Sequence, residues 1–172
     1  MLDRPCGECG LDTARVDRTE VASLVLANAA RWVRLLSSGD GWVHARPQPH
    51  VWSPLEYACH VRDVLRLYRE RLALMLSQDD PLFANWNQDA TAVEQQYASA
   101  EAAVVADEVR SAADAVARAF SAVTDAQWRR TGRRSDGASF TVESFARYFV
   151  HDPLHHLWDV TGERAGPTTR RT

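Results

Sequence analysis

Apolar residues recur at helical spacing in four stretches of the chain, separated by segments rich in proline, glycine and small polar residues. In the first stretch Val21, Leu24, Val25, Ala29, Trp32, Leu35 and Leu36 share one face. Asp17 stands where an N-cap is needed, Glu20 completes a capping box, and Ser37-Ser38-Gly39 ends the run. Residues 39–52 read as a connecting loop. The second helix has the clearest start: Ser53 as N-cap, Pro54 in the first helical position and Glu56 three residues after the cap. Tyr57, Val61, Val64, Leu65, Tyr68, Leu72, Met75 and Leu76 make its stripe, which Ser77-Gln78-Asp79-Asp80-Pro81 stops.

Residues 82–99 suggest a loop followed by a short helical piece. An alanine-rich helix is expected over about 100–123, since alanine has the best intrinsic helix propensity and lets neighbours pack closely. Thr124 with Gln127 caps a short turn, and residues 132–139 read as a polar loop with a short extended segment. The last helix opens on Thr141 and runs to Gly162. Phe145, Tyr148, Phe149, Val150, Leu154, Leu157, Trp158 and Val160 make it apolar on most sides, which places it inside a bundle. Pro153 removes one of its backbone hydrogen bonds and is expected to bend it. The pattern predicts an all-α four-helix bundle, antiparallel or with a crossover. Residues 1–16 form an irregular N-terminal segment, residues 17–162 the bundle, and residues 163–172 a flexible tail.

A chain of 172 residues with 45% hydrophobic and 25% charged residues fits one domain with a sizeable core. The formal net charge of -3 gives no broad positive field, so no nucleic-acid partner is expected. Arg129, Arg130, Arg133 and Arg134 read as a solvated basic loop. No apolar run reaches the roughly 18–20 residues that span a bilayer, and the first residues lack the apolar core of a signal peptide. A cytoplasmic protein without a membrane partner is the expectation, and apolar helix faces leave room for a homodimer.

The histidines change the picture. His151 and His155 are four apart on the last helix, about 40° from each other around its axis, so both imidazoles point the same way. Such a pair can hold one divalent ion at about 2.0–2.1 Å per ring nitrogen. His60 lies within the apolar stripe of the second helix, where an imidazole needs a partner. It is either a core histidine bonded to a tyrosine or a carbonyl, or a third ligand facing the pair. Three imidazoles favour zinc, nickel, iron or copper over magnesium or calcium, and three protein ligands leave a coordination position open, as in catalytic zinc sites. His156 points about 100° away from His155 and is not expected to share that metal. Asp159, four residues beyond His155, is placed to accept the ring N–H that does not face the metal, or else is a helix-end carboxylate, and Glu56 is placed as a cap.

The three cysteines, Cys6, Cys9 and Cys59, do not suggest a disulfide framework. Cys6-Gly7-Glu8-Cys9 has the spacing of half a zinc knuckle, which His44, His50 or another chain would have to complete. Otherwise these are reduced or redox-sensitive thiols. Cys59 reads as a small buried residue.

The segments Trp52-Ser53-Pro54-Leu55-Glu56-Tyr57-Ala58-Cys59-His60-Val61-Arg62-Asp63 and Tyr148-Phe149-Val150-His151-Asp152-Pro153-Leu154-His155-His156-Leu157-Trp158-Asp159 resemble the two metal motifs of the DinB-like superfamily. This group includes the mycothiol-dependent maleylpyruvate isomerases and the bacillithiol transferases. The resemblance extends over residues 17–162. The Cys-x-x-Cys lead and Asn85-Trp86-Asn87-Gln88-Asp89-Ala90 look like an actinobacterial-type branch. It implies a four-helix bundle with a three-histidine site near one end, with His60, His151 and His155 as ligands. The implied cofactor is a divalent metal ion, zinc first, with nickel, iron and manganese as alternatives. The implied cosubstrate is a low-molecular-weight thiol, mycothiol first, acting on a small electrophile. The extra C-terminal domain of the maleylpyruvate isomerases has no counterpart in the sequence, so that substrate is not expected.

Three functions follow as expectations. The first is a thiol S-transferase or thiol-dependent isomerase, in which the metal keeps a bound thiol ionised. The second is a metal-dependent hydrolase with Glu56 or Asp159 as proton acceptor. The third is a non-catalytic dimeric metal or stress sensor, favoured if a cysteine of the N-terminal segment closes the metal site.

Overall fold

In the computed structural model, which describes residues 4–164, the helix start at Ser53 is a complete capping box. The Glu56 N–H donates to Ser53 Oγ at 3.3 Å and the Ser53 N–H to Glu56 Oε2 at 2.9 Å, so two of the donors left over at the helix start are bonded. From this cap α2 runs over Pro54–Ser77. Before it comes α1, Val21–Leu36, entered from a 3-10 turn over Arg18–Glu20 that carries the Asp17–Glu20 capping box. The short α3 (Gln88–Glu94), the alanine-rich α4 (Ala102–Ser121) and α5 (Val142–Thr161) follow. Thr141 Oγ1 caps α5 by accepting the Ser144 N–H at 3.1 Å. Gly162 ends it at φ +69°, a left-handed conformation that glycine adopts without a Cβ clash. The helix continues through Pro153, whose carbonyl also accepts a 3.0 Å bond from Asn28 Nδ2 on α1.

The four long helices form the bundle. α1 packs along α4 and α5, and α2 packs along the same two, with little contact between α1 and α2. α1 and α2 therefore sit at opposite corners, as do α4 and α5, which makes this a crossover bundle. Trp32, Leu65, Leu72, Val109, Val116, Phe145 and Phe149 are among the side chains that fill its centre. Tyr68 stacks on Phe145 and Phe149 at 4.7 and 4.8 Å between ring centroids, while His60, two turns earlier, meets the 152–156 region. α2 and α5 thus run antiparallel, which brings the start of one beside the end of the other.

The extended segment expected near residues 132–139 proves to be part of a sheet. β2 (Thr131–Arg134) pairs antiparallel with β3 (Ser139–Thr141), Gly132 opposite Phe140. β1 (Leu82–Phe83), inside a stretch read as loop, adds parallel to β2 with Leu82 opposite Arg133. This sheet lies against the C-terminal part of α2. A Cβ at Gly132 would stand 2.8 Å from Met75 Cγ and 3.1 Å from Phe83 Cε1, so the close approach requires glycine. The arginines nearby are engaged: Arg130 donates to the Met75 and Gln78 carbonyls, Arg133 pairs with Asp80 and Arg134 with Asp136.

Residues 163 and 164 are exposed and irregular. The rest of the expected tail, and residues 1–3 of the N-terminal segment, lie outside the described residues. Among the described residues no helix is long and apolar enough to cross a membrane.

Candidate metal centres

Two pairs of side chains spaced i, i+4 leave the C-terminal half of α5 in directions about 100° apart. His151 and His155 form one pair, Asp152 and His156 the other. Each pair meets a different part of the chain, and among the described residues two groups of potential metal ligands result. The ligand atoms of His60, Asp152 and His156 lie within 4.8 Å of one another, and so do those of Cys6, Cys9, His151 and His155. The structure therefore does not bring His60, His151 and His155 into one group. His60 approaches α5 on the Asp152–His156 face, while the N-terminal segment covers the His151–His155 face.

In the first group His60 is fully buried, and among the described residues neither of its ring nitrogens has a hydrogen-bond partner. Its Nε2 is 3.3 Å from Asp152 Oδ1, without hydrogen-bond alignment, and His156 Nε2 is 3.7 Å from the same oxygen. The Asp152 side chain is 34% exposed, but Oδ1 itself is buried and unbonded. Burial opposes its ionisation, yet the neighbouring imidazoles of His60, His156 and His151 hold its pKa below the ordinary carboxylate value. His156 Nδ1 lies 2.8 Å from Asp159 Oδ2. With the proton on Nδ1, Asp159 accepts it and Nε2 keeps its lone pair towards Asp152.

Aromatic rings surround this group. Trp86 stacks on His60 at 5.2 Å and 12°, Trp52 lies 5.4 Å from it, and the His156 ring meets it edge-on at 4.7 Å. Tyr57 lies over His156 at 5.1 Å. Burial, with the charge of Asp159, raises the Tyr57 pKa and keeps its hydroxyl protonated. A buried imidazole with two idle nitrogens facing a buried carboxylate oxygen is costly in an empty apolar setting. The donor set fits a divalent cation, which two imidazoles and one carboxylate would hold with coordination positions to spare.

The second group holds two thiols and two imidazoles. Cys6 Sγ lies 3.6 Å from His155 Nδ1, and the His151 and His155 rings are 5.0 Å apart. His155 turns its Nε2 towards carboxylates, 3.5 Å from Glu8 Oε2 and 3.6 Å from Asp159 Oδ1. His151 is 7% exposed, with a buried Nε2 that has no hydrogen bond among the described residues. Burial works against ionisation of Cys6, but contacts from His151 and from the backbone of Glu8 and Cys9 bring its pKa to about 7. Burial and the neighbouring Cys6 raise that of Cys9. His44 and His50, the expected partners of the Cys-x-x-Cys segment, are exposed in the loop before α2 and belong to neither group. Cys59 is buried, and burial pushes its thiol up to about 12, as suits a small core residue.

A family model described as the DinB superfamily matches residues 22–160. The chain belongs to the DinB superfamily. Among solved structures, this DinB chain is similar to YfiT from Bacillus subtilis, with 16% identity and a TM-score of 0.73 over 93% of this chain and 88% of that one. YfiT is described as a probable metal-dependent hydrolase with an unusual four-helix bundle topology, and the likeness establishes the shared fold. A search of curated proteins gives no match.

Two carboxylates had been expected near the site as proton acceptors. Glu56 is 2% exposed and fully engaged by the capping box and by Arg46, whose Nε donates to Oε2 at 2.8 Å. Asp159 is engaged by His156. Sequence reasoning did not single out Asp152. Its spacing of four from His156 repeats that of His151 and His155 and was the available signal.

Proposed function

We propose that this DinB protein is a divalent-metal-dependent enzyme centred on His60, Asp152 and His156, which activates a low-molecular-weight thiol for transfer to a small electrophile. The observation that carries the reading is the buried His60 imidazole, unbonded at both nitrogens and facing Asp152 Oδ1 and His156. A divalent ion held there supplies a Lewis acid that favours the ionised form of a thiol or water at neutral pH. Asp159 fixes the His156 tautomer, and the stacked Trp86 holds the His60 ring plane. Trp52, Tyr57 and Trp86 offer apolar surface to the carbon skeleton of an electrophile.

The state of the nearby carboxylates favours a thiol over water. Glu56 is neutralised by Arg46 and Asp159 is bonded to His156, so neither is free to take a proton. A thiol with a pKa near 8.5 needs less help to ionise than water does. Mycothiol is the first thiol to try, and bacillithiol and glutathione are the alternatives. Hydrolysis is the second reading, favoured by the description of YfiT as a probable metal-dependent hydrolase on the same fold.

The test is turnover of a chromogenic electrophile by zinc-, nickel- or manganese-loaded protein with each thiol, beside ester and amide hydrolysis without thiol. Thiol-dependent acceleration that disappears in His60→Ala and His156→Ala is the expected result. No acceleration with any thiol, together with metal-dependent hydrolysis, would replace the transfer reading by the hydrolytic one.

A further inference from the structure

We propose that Cys6, Cys9, His151 and His155 form a second, closed zinc site that fastens the N-terminal segment to α5. This assignment does not depend on the reaction at His60. Three features carry it. All four ligand atoms lie within 4.8 Å of one another. A tetrahedral zinc with Zn–S of about 2.3 Å and Zn–N of about 2.0–2.1 Å sets its ligand atoms roughly 3.3–3.8 Å apart. The Cys6 Sγ to His155 Nδ1 distance of 3.6 Å falls in that range.

The second feature is chemical. Two thiolates and two neutral imidazoles balance the charge of Zn²⁺ and leave the centre neutral, which suits its half-buried position. Soft sulfur ligands select zinc over magnesium, calcium or manganese. The spacings, Cys-x-x-Cys and His-x-x-x-His, are those by which a turn and a helix face each present two ligands to a structural zinc. His151, buried with an unbonded Nε2, lacks the partner that such an ion would provide. Around His155 the supporting contacts already exist. Its Nδ1 faces Cys6, while Nε2 faces Glu8 and Asp159, the carboxylates that would accept the outward N–H of a ligating imidazole.

The third feature is architectural. The N-terminal segment runs antiparallel along α5. Arg147 Nε donates to the Val16 carbonyl at 3.1 Å, and Arg164 Nη2 to the Gly7 carbonyl at 2.6 Å. Between Arg147 and Arg164 in the chain, His151 and His155 of α5 meet Cys6 and Cys9. The turn that presents the thiols is set by the Gly10 N–H to Cys6 carbonyl bond, with Gly10 itself at φ +79°. Four protein ligands leave no position for substrate, so the ion is structural: it holds the last turns of α5, and with them Asp152 and His156, in place.

The experiment uses the full chain loaded with Co²⁺ after chelator treatment, with metal content measured in parallel on the zinc form. The expected result is a thiolate-to-cobalt charge-transfer band with intense tetrahedral d–d bands. The band should persist in His60→Ala/His156→Ala and vanish in Cys6→Ser/Cys9→Ser together with one equivalent of zinc. The wild-type spectrum decides the matter even if the cysteine variant fails to fold. Bound cobalt without a thiolate band would overturn the proposal, as would a Cys6–Cys9 disulfide in protein purified without added oxidant.

Discussion

Asp159 and His156 meet at 2.8 Å, Oδ2 to Nδ1, and the other oxygen of the same carboxylate lies 3.6 Å from Nε2 of His155. One side chain at the end of α5 thus supports a histidine of each candidate centre. For His156 it sets which nitrogen faces Asp152 and His60. For His155 it sets which nitrogen faces Cys6. A substitution at Asp159 should therefore act on two ions at once without removing a ligand from either.

Asp159→Asn keeps the shape and removes the charge. It should weaken metal binding at the His60 centre by roughly 10–100-fold, the usual effect of losing the carboxylate behind a ligating imidazole. Competition against a chromophoric chelator reads the affinity. The effect on the cysteine-containing site should be smaller, because Glu8 also faces His155 Nε2 and remains. Unchanged affinity for both ions would show that Asp159 serves only to end the helix.

A second carboxylate, Asp63, should contribute to the acid sensitivity of the fold. It takes two bonds from Arg62, at 2.8 and 3.0 Å, and one from the Tyr97 hydroxyl at 2.5 Å. Burial alone would raise its pKa, but these bonds outweigh it and the pKa falls below the usual value. Glu56 and Glu108 are shifted the same way. A carboxyl with a lower pKa in the folded state contributes stability that is complete above its unfolded value, about 3.9 for aspartate, and is lost as pH falls through the folded one. In metal-free protein, urea unfolding should show stability dropping steeply below about pH 4. Asp63→Asn should cost about 1.5–3 kcal/mol at pH 7 and flatten that acid slope. A variant with an acid slope equal to that of the parent would refute the assignment.

Gly132→Ala tests the sheet against the bundle. Its Cβ would press on Met75 Cγ, a fully buried side chain on α2, and on the Phe83 ring. The expected loss is about 1–3 kcal/mol in urea unfolding, with an unchanged denaturant slope. Gly41→Ala, with nothing within 4 Å of the added carbon and no positive φ, is the control and should stay within about 0.5 kcal/mol of the parent.

The helices were legible because their ends carry their own chemistry. Ser53 with Glu56, Thr141 and Gly162 act within a few residues of themselves, and the structure uses each as read. β1 and β2 were not legible in the same way. They have two and four residues, and Thr131-Gly132-Arg133-Arg134 shows no alternation of apolar and polar positions. Their pairing brings Gly132 against Met75 and Phe83, a tertiary event. At the site, helical phase correctly separated His156 from His155, and it held equally for Asp152 with His156. Which face of α5 would receive His60 depends on how α2 and α5 pack, and which would receive Cys6 depends on a contact 149 residues apart in sequence. Neither is written in local spacing.

The presence of Asp152 where a third imidazole was expected predicts a preference among metals. A carboxylate oxygen is a harder ligand than an imidazole nitrogen, so it favours manganese and iron relative to nickel and zinc more than a three-histidine set would. Asp152→His, at a position already paired four residues from His156 and facing His60, should accept the same geometry. It should shift the ratio of affinities towards nickel and away from manganese. Direct competition between Mn²⁺ and Ni²⁺ at equal total concentration, followed by metal analysis of the protein, measures that ratio. The cysteine-containing site acts as the internal reference, since its ligands are untouched and its zinc should not exchange in either protein. An unchanged manganese-to-nickel ratio would mean that Asp152 does not contact the ion. Its 3.3 Å approach to His60 would then be a contact between side chains and not a shared ligand sphere.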